Sequence, residues 1–153
     1  MVATLPSRAE IDEKYRWDLS PIYPDDASWE AALASARTLL ADLRACAGGL
    51  GNSAQLLLDA LKLHEKVNRL ADRVWQYAAR HRDQDMTSAR AQALFDRALQ
   101  LRTDLEEAGA FIRPEVGSLA YGTLERFMSE IPALIRKQKT HARQTATHVC
   151  RSK

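Results

Sequence analysis

The stretch Ser53 to Arg82, SAQLLLDALKLHEKVNRLADRVWQYAARHR, decides the fold class of this chain. Within it Leu56, Ala60, Leu63, Val67, Leu70, Val74 and Tyr77 follow one another at alternating steps of four and three. That spacing gathers side chains onto one face of an α-helix. A second set, Leu57, Leu61, Ala71, Trp75 and Ala78, widens the apolar surface beyond a two-helix seam, so the helix is expected to meet more than one neighbour. At 1.5 Å per residue it would be roughly 45 Å long, too long for one small compact partner to cover.

Two further helices flank it. Asp25, Asp26 and Ser28 are all competent caps for a first helix, and the acids suit the positive end of its dipole. Trp29, Leu33, Ala36, Leu40 and Leu43 then share one face. Gly48, Gly49 and Gly51 are expected to end that helix by supplying left-handed backbone. After the polar stretch Asp83 to Ser88, with Thr87 or Ser88 as cap, a third helix carries Ala91, Leu94, Ala98, Leu101, Leu105 and Ala108 inward. The short connection predicts an antiparallel hairpin of the second and third helices, against which the first lies. Pro114 should interrupt, and a shorter element from Thr123 to Glu130, with Leu124, Phe127 and Met128, should stop at Pro132. The expected fold is all-α, with negligible strand.

Ahead of these helices, Leu5 to Pro24 is rich in aromatics and broken by Pro6, Pro21 and Pro24. We expect an ordered arm with a single turn around Pro21 to Tyr23, held to the helices by Trp17, Leu19, Ile22 and Tyr23. The expected organisation is therefore an arm over residues 1–24, a helical body over 25–134 and a basic tail over 135–153.

With 153 residues, 46% hydrophobic and 27% charged, the chain has the composition of an ordinary globular protein with one core. No apolar run reaches the ~18 to 20 residues that span a bilayer, and Met1 to Glu10 lacks the features of a signal peptide, so a cytoplasmic location is expected. Cys46 and Cys150 have neither zinc nor disulfide spacing and are expected to be free thiols. The net charge of +2 hides an asymmetry: residues 1–134 hold 16 Lys and Arg against 20 Asp and Glu, whereas residues 135–153 hold six against none. Such a reversal marks a separate basic tail or a change in the origin of the sequence.

The strongest candidate for chemistry is His64-Glu65-Lys66-Val67-Asn68. A zinc peptidase helix needs H-E-x-x-H, two imidazoles one turn apart with a glutamate acting on the bound water. Here the fifth residue is Asn68, and His81, His141 and His148 lie too far along to replace the missing ligand in that helix. Asp83 with Asp85 and Glu106 with Glu107 read as solvated charges or dipole partners. In the tail, His141, His148 and Cys150 lack the ligand number for a metal site. Arg136, Lys137, Lys139, Arg143, Arg151 and Lys153 could neutralise phosphates, but with no aromatic to stack on a base only nonspecific nucleic-acid contact would follow. No catalytic, metal-binding or cofactor-binding residue is assigned. A stand-alone helical interaction module is the alternative from a different class.

In order along the chain, LPSRAEIDEKYRWDLSPIYPDDASWE (Leu5 to Glu30), with Trp17-Asp18-Leu19, Tyr23 and Trp29 at its centre, closely resembles the opening of the oligoendopeptidase F family of zinc metallopeptidases. The resemblance continues through GGLGNSA (Gly48 to Ala54), the patterned second helix, YAARHRDQD (Tyr77 to Asp85), FIRPEV (Phe111 to Val116) and LERFM (Leu124 to Met128), covering about residues 5–134. It implies the amino-terminal helical part of a cytoplasmic enzyme that cleaves internal bonds of short peptides, with helices forming part of the wall of a peptide channel. The zinc, held in the family by H-E-x-x-H and a downstream glutamate, would belong to a part without counterpart here, so this chain alone holds no cofactor and is expected to be inactive. The missing catalytic part would cover exposed helix faces, foremost the stripe through Leu57, Leu61 and Trp75.

Because the family continues with another amphipathic helix after Leu134, the tail is expected to be out-of-frame translation or the product of a premature end. The genomic sequence beyond the Leu134 codon should then encode, in another frame, a helical continuation containing H-E-x-x-H. An unrelated gene in its place, with a monomeric, cooperatively folding chain, would favour the independent module.

Overall fold

A computed structural model describes residues 11–15 and 17–134; the expectations for the basic tail and for the first residues of the arm lie outside them. After a 3-10 turn at Glu13–Tyr15 come five helices: α1 Asp26–Ala45, α2 Ala54–Gln84, α3 Ala89–Gly109, α4 Ile112–Gly117 and α5 Tyr121–Glu130. The fold is all-α, with no strand among the described residues. By packing, the chain divides into two compact units, one of Met1–Leu39 with Val67–Glu106 and one of Leu40–Lys66 with Glu107–Lys153.

In the first unit the competing caps resolve. The Asp25 carboxylate accepts from the Ser28 N–H at 2.7 Å, so Asp25 caps α1. At the α2–α3 connection Thr87 gives both its N–H and its hydroxyl to Asp85, which leaves Ser88 Oγ to accept from Ala91 N–H at 3.3 Å. The hairpin of α2 and α3 forms as the four-residue connection requires. Its core takes Trp29, Leu33 and Ala36 from α1, Val67, Ala71, Val74 and Ala78 from α2, and Ala91, Leu94, Ala98, Leu101 and Leu105 from α3, all buried. The five alanines in that set let helix backbones approach closely around one large side chain, Trp29.

Between residues 17 and 24 the backbone makes one turn, with the N–H groups of Ile22 and Tyr23 both donating to the Leu19 carbonyl. Tyr23 is buried, but Trp17, expected to pack inward, is 57% exposed. Its segment is held through the backbone instead. Gln84 Nε2 donates to the Trp17 carbonyl at 3.1 Å, Arg73 Nη2 donates to the Ile22 carbonyl at 2.7 Å, and the Arg80 guanidinium lies over the Trp17 ring.

The second unit buries Leu40, Leu43, Leu50, Ala54, Leu57, Leu58, Ala60, Ala108, Ile112, Phe127 and Leu134. Of the three glycines after α1, only Gly48 takes a left-handed backbone, at φ +79°. Gly51 serves a different need, because a Cβ there would stand 2.9 Å from Leu119 Cδ2. Pro114 also departs from expectation: it occupies the first turn of α4, where an N–H has no intrahelical acceptor, so its missing donor costs nothing and a helix forms around it.

The stripe expected along α2 is only half right. Ala60, Val67, Val74 and Tyr77 are buried, Leu63 and Leu70 are half-buried, and Leu56 is 52% exposed, whereas Leu57, assigned to the stripe left in water, is 2% exposed. An α-helix turns 3.6 residues, so a row spaced by 3.5 drifts by ~20° per heptad. A row that faces inward at Val74 and Tyr77 has therefore rotated outward by Leu56. Leu57→Ala should cost about 2–5 kcal/mol in denaturant unfolding, and Leu56→Ala within about 0.5 kcal/mol of none; equal losses would restore the heptad row.

Candidate functional site

The residues singled out for chemistry do not converge. His64, Glu65 and Asn68 lie half-buried on α2, and the His64 ring packs where α3 ends: a Cβ on Gly109 would be 3.0 Å from its Cδ2 and Nε2. The glycine makes room for the imidazole. Among the described residues no three His, Cys, Asp or Glu side chains gather to hold a metal, so those described do not fit zinc. Asp83 pairs with Arg80 at 3.0 Å and Arg82 at 3.5 Å, Asp85 holds the hairpin turn, and Glu106 and Glu107 are exposed. Cys46, a free thiol, donates to the Asp42 carbonyl at 3.4 Å. His141, His148, Cys150 and the six basic tail residues lie outside the described residues.

The hydrogen bonds that join distant elements had no signal in the sequence, because each pairs residues about fifty or more positions apart. Asp26, in the first turn of α1, accepts from the Tyr77 hydroxyl of α2 at 2.9 Å and from Arg90 Nε of α3 at 2.8 Å. Tyr77 in turn meets the His81 ring at 4.4 Å and Tyr23 edge-on at 5.7 Å. One turn along α1, Glu30 takes a two-pronged bond from Arg97 of α3. In the second unit Glu115 of α4 accepts from the Gly48 and Leu50 N–H groups at 3.0 and 2.8 Å, fastening the loop after α1.

These clusters tie helices together. None pairs a nucleophile with a base and an oriented third group. Burial pushes the Tyr77 phenol up to about 12, reinforced by its bond to Asp26. At neutral pH it is a fixed hydrogen-bond donor. Burial alone would raise the Asp26 carboxyl, but the bonds from Arg90 and Tyr77 and the charge of Arg90 outweigh it and hold Asp26 below the ordinary 3.8. The Arg97 bond likewise lowers Glu30.

No family model matches the chain. It is 32% identical to the oligopeptidase PepF of Bacillus subtilis over 143 residues, which is 94% of this chain and 21% of that protein. To the group B oligopeptidase PepB of Streptococcus agalactiae it is 30% identical over 128 residues, 84% of this chain and 21% of the relative. This chain is a relative of the oligoendopeptidase F peptidases. The crystal structure of oligoendopeptidase F from Enterococcus faecium superposes with a TM-score of 0.66 at 24% identity, over 74% of this chain and 22% of that one, and so shares its fold over that stretch. The chain thus spans about a fifth of the length of the oligoendopeptidase F relatives it matches.

Tyr23 and Tyr77 of the first unit are both buried, yet they differ in partner: the Tyr77 hydroxyl is bonded, and the Tyr23 hydroxyl has no hydrogen-bond partner among the described residues. Tyr77→Phe should cost about 1–3 kcal/mol, since it removes a bond to a charged group. Tyr23→Phe should cost nothing or stabilise, because it relieves a buried unbonded hydroxyl. The pH profile follows from the directions above. Tyr77 has a folded pKa above its ordinary 10, so its contribution is present below pH 10 and lost as pH rises to about 12. Asp26 has a folded pKa below 3.8, so its contribution is present above 3.8 and lost as pH falls through the lower value. Thermal melts across pH should show the alkaline loss shrinking in Tyr77→Phe, and the acid loss shrinking in Asp26→Asn.

Proposed function

We propose that the chain is the helical amino-terminal segment of an oligoendopeptidase F-like zinc metallopeptidase that hydrolyses internal bonds of short peptides in the cytoplasm. The reading rests on one observation above others: nearly the whole chain aligns to a peptidase, but to only a fifth of it. In this reading zinc and the H-E-x-x-H helix belong to a portion of the enzyme beyond these 153 residues, and peptide substrates are the partners of the whole enzyme. In the same reading the segment comprises an amino-terminal stretch over residues 1–24, the helical body over 25–134 and the basic stretch over 135–153. The described side chains are compatible with that assignment, since the Asp25, Asp26 and Glu115 carboxylates are engaged in a cap and in ties between distant residues, and His64 packs on Gly109. No helix among the described residues is long and apolar enough to cross a membrane.

The purified chain should bind no stoichiometric zinc and leave a quenched fluorescent peptide uncut. Grafted in place of the stretch it matches in the Bacillus subtilis peptidase, it should support chelator-sensitive cleavage of the same peptide. Chelator-sensitive cleavage by the chain alone, or a folded chimera without activity, would refute the proposal.

A further inference from the structure

One face of the α2–α3 hairpin carries a row of rings and guanidinium groups that no catalytic or core role accounts for. Arg82 stands 3.6 Å above the Phe95 ring, Phe95 meets Trp75 at 6.4 Å and 51°, and Arg102 lies 5.2 Å above Trp75. Trp75 and Arg82 are seven residues apart on α2, and Phe95, Leu99 and Arg102 are spaced by four and three on α3, so both helices present the row on one side. Trp75 and Phe95 are half-buried and Leu99 is 50% exposed.

Four arginines of the hairpin fall into two kinds. Arg90 and Arg97 reach α1 and are neutralised there by Asp26 and Glu30. Arg102 has no carboxylate within ion-pair distance among the described residues, Glu106 one turn beyond it included, and Arg82 has only its neighbour Asp83 at 3.5 Å. A guanidinium stacked flat on a ring keeps its N–H edges free for a carboxylate. Trp, Phe and Arg around an exposed Leu is also the composition of an interface centre more than of ordinary surface.

We propose that this face, Trp75, Arg82, Phe95, Leu99 and Arg102, is a docking surface for a carboxylate-bearing amphipathic segment from the remainder of the peptidase polypeptide. The proposal rests on the functional reading above for the source of the segment. The charge follows from Arg102, which has no carboxylate within ion-pair distance among the described residues, and from Arg82, whose pair with Asp83 is long at 3.5 Å, and the apolar flank from Leu99 and the rings. The relatives supply roughly four-fifths of their length beyond the matched stretch, ample chain to provide it.

The test compares the isolated chain with the Bacillus subtilis chimera by hydroxyl-radical labelling, and adds Arg102→Glu and Leu99→Glu in both. Trp75, Phe95 and Leu99 should label several-fold less in the chimera, and Arg102→Glu should lower its activity by at least about tenfold. Both variants of the isolated chain should melt within about 1 °C of the parent, because nothing covers the face there. Unchanged labelling in an active chimera overturns the docking surface while leaving the functional reading standing. Protection in a folded but inactive chimera does the reverse. Should the chimera not fold, the isolated chain still decides. A melt lowered by more than about 5 °C in both variants would make the row a stability element, and a dimer dissolved by Arg102→Glu would make the occupant a second copy; either overturns the proposal.

Discussion

Trp29 is the largest fully buried side chain, and the first unit is arranged around the demand that it makes. An indole brings the largest apolar area of any residue together with one N–H that must find an acceptor once water is gone. Here that acceptor is the Val74 carbonyl on α2, at 2.8 Å. The bond fixes α1 against α2 in depth and rotation, because a shift of one residue along either helix would strand the donor. The Arg97 guanidinium lies 5.1 Å from the ring centre while it grips Glu30, so the same tryptophan is flanked by the tie between α1 and α3. Small residues such as Ala36, Ala71, Ala78 and Ala98 then follow, since helices drawn close around one ring leave little room elsewhere.

Around that packing the charged side chains are spent on geometry. Asp26 receives donors from two other helices, Glu30 receives a forked one, and Glu115 closes the loop after α1 by accepting from two N–H groups. A carboxylate so occupied has few lone pairs left for a metal or a reacting proton, and the bonds to Asp26 and Glu30 hold those two below the ordinary carboxylate range. Asp26, Glu30 and Glu115 are in this way employed in joining distant parts of the chain. Exposed pairs of this kind contribute little each. Asp26 matters more because its partners are partly sheltered and mutually supporting.

Arginines of the hairpin also differ in environment. Arg90 and Arg97 are neutralised by carboxylates of α1, while Arg82 and Arg102 lie over the Phe95 and Trp75 rings. Rigid helices can present such a face at fixed spacing, which a loop of the same composition could not do.

The sequence by itself determined the three long helices and α5, though not α4. The four-and-three spacings of α1 and α3 marked residues that are all buried, and α5 stops just before Pro132, because periodicity and backbone chemistry act within a few residues of one another. The resemblance to oligoendopeptidase F was legible for the same reason, in short motifs such as Trp17-Asp18-Leu19. Only the tertiary structure decided which of two apolar rows on α2 turned inward: Leu57 is buried and Leu56 is exposed because a straight helix of 31 residues drifts away from a heptad row and its neighbours select the face. It also decided which cap won, because Thr87 could serve Asp85 or the helix, and why Trp17 stays outside while Tyr23 enters. The ties from Asp26 to Tyr77 and Arg90 span 51 and 64 positions. No local pattern encodes a bond of that separation, since it exists only once helix packing has brought the ends together.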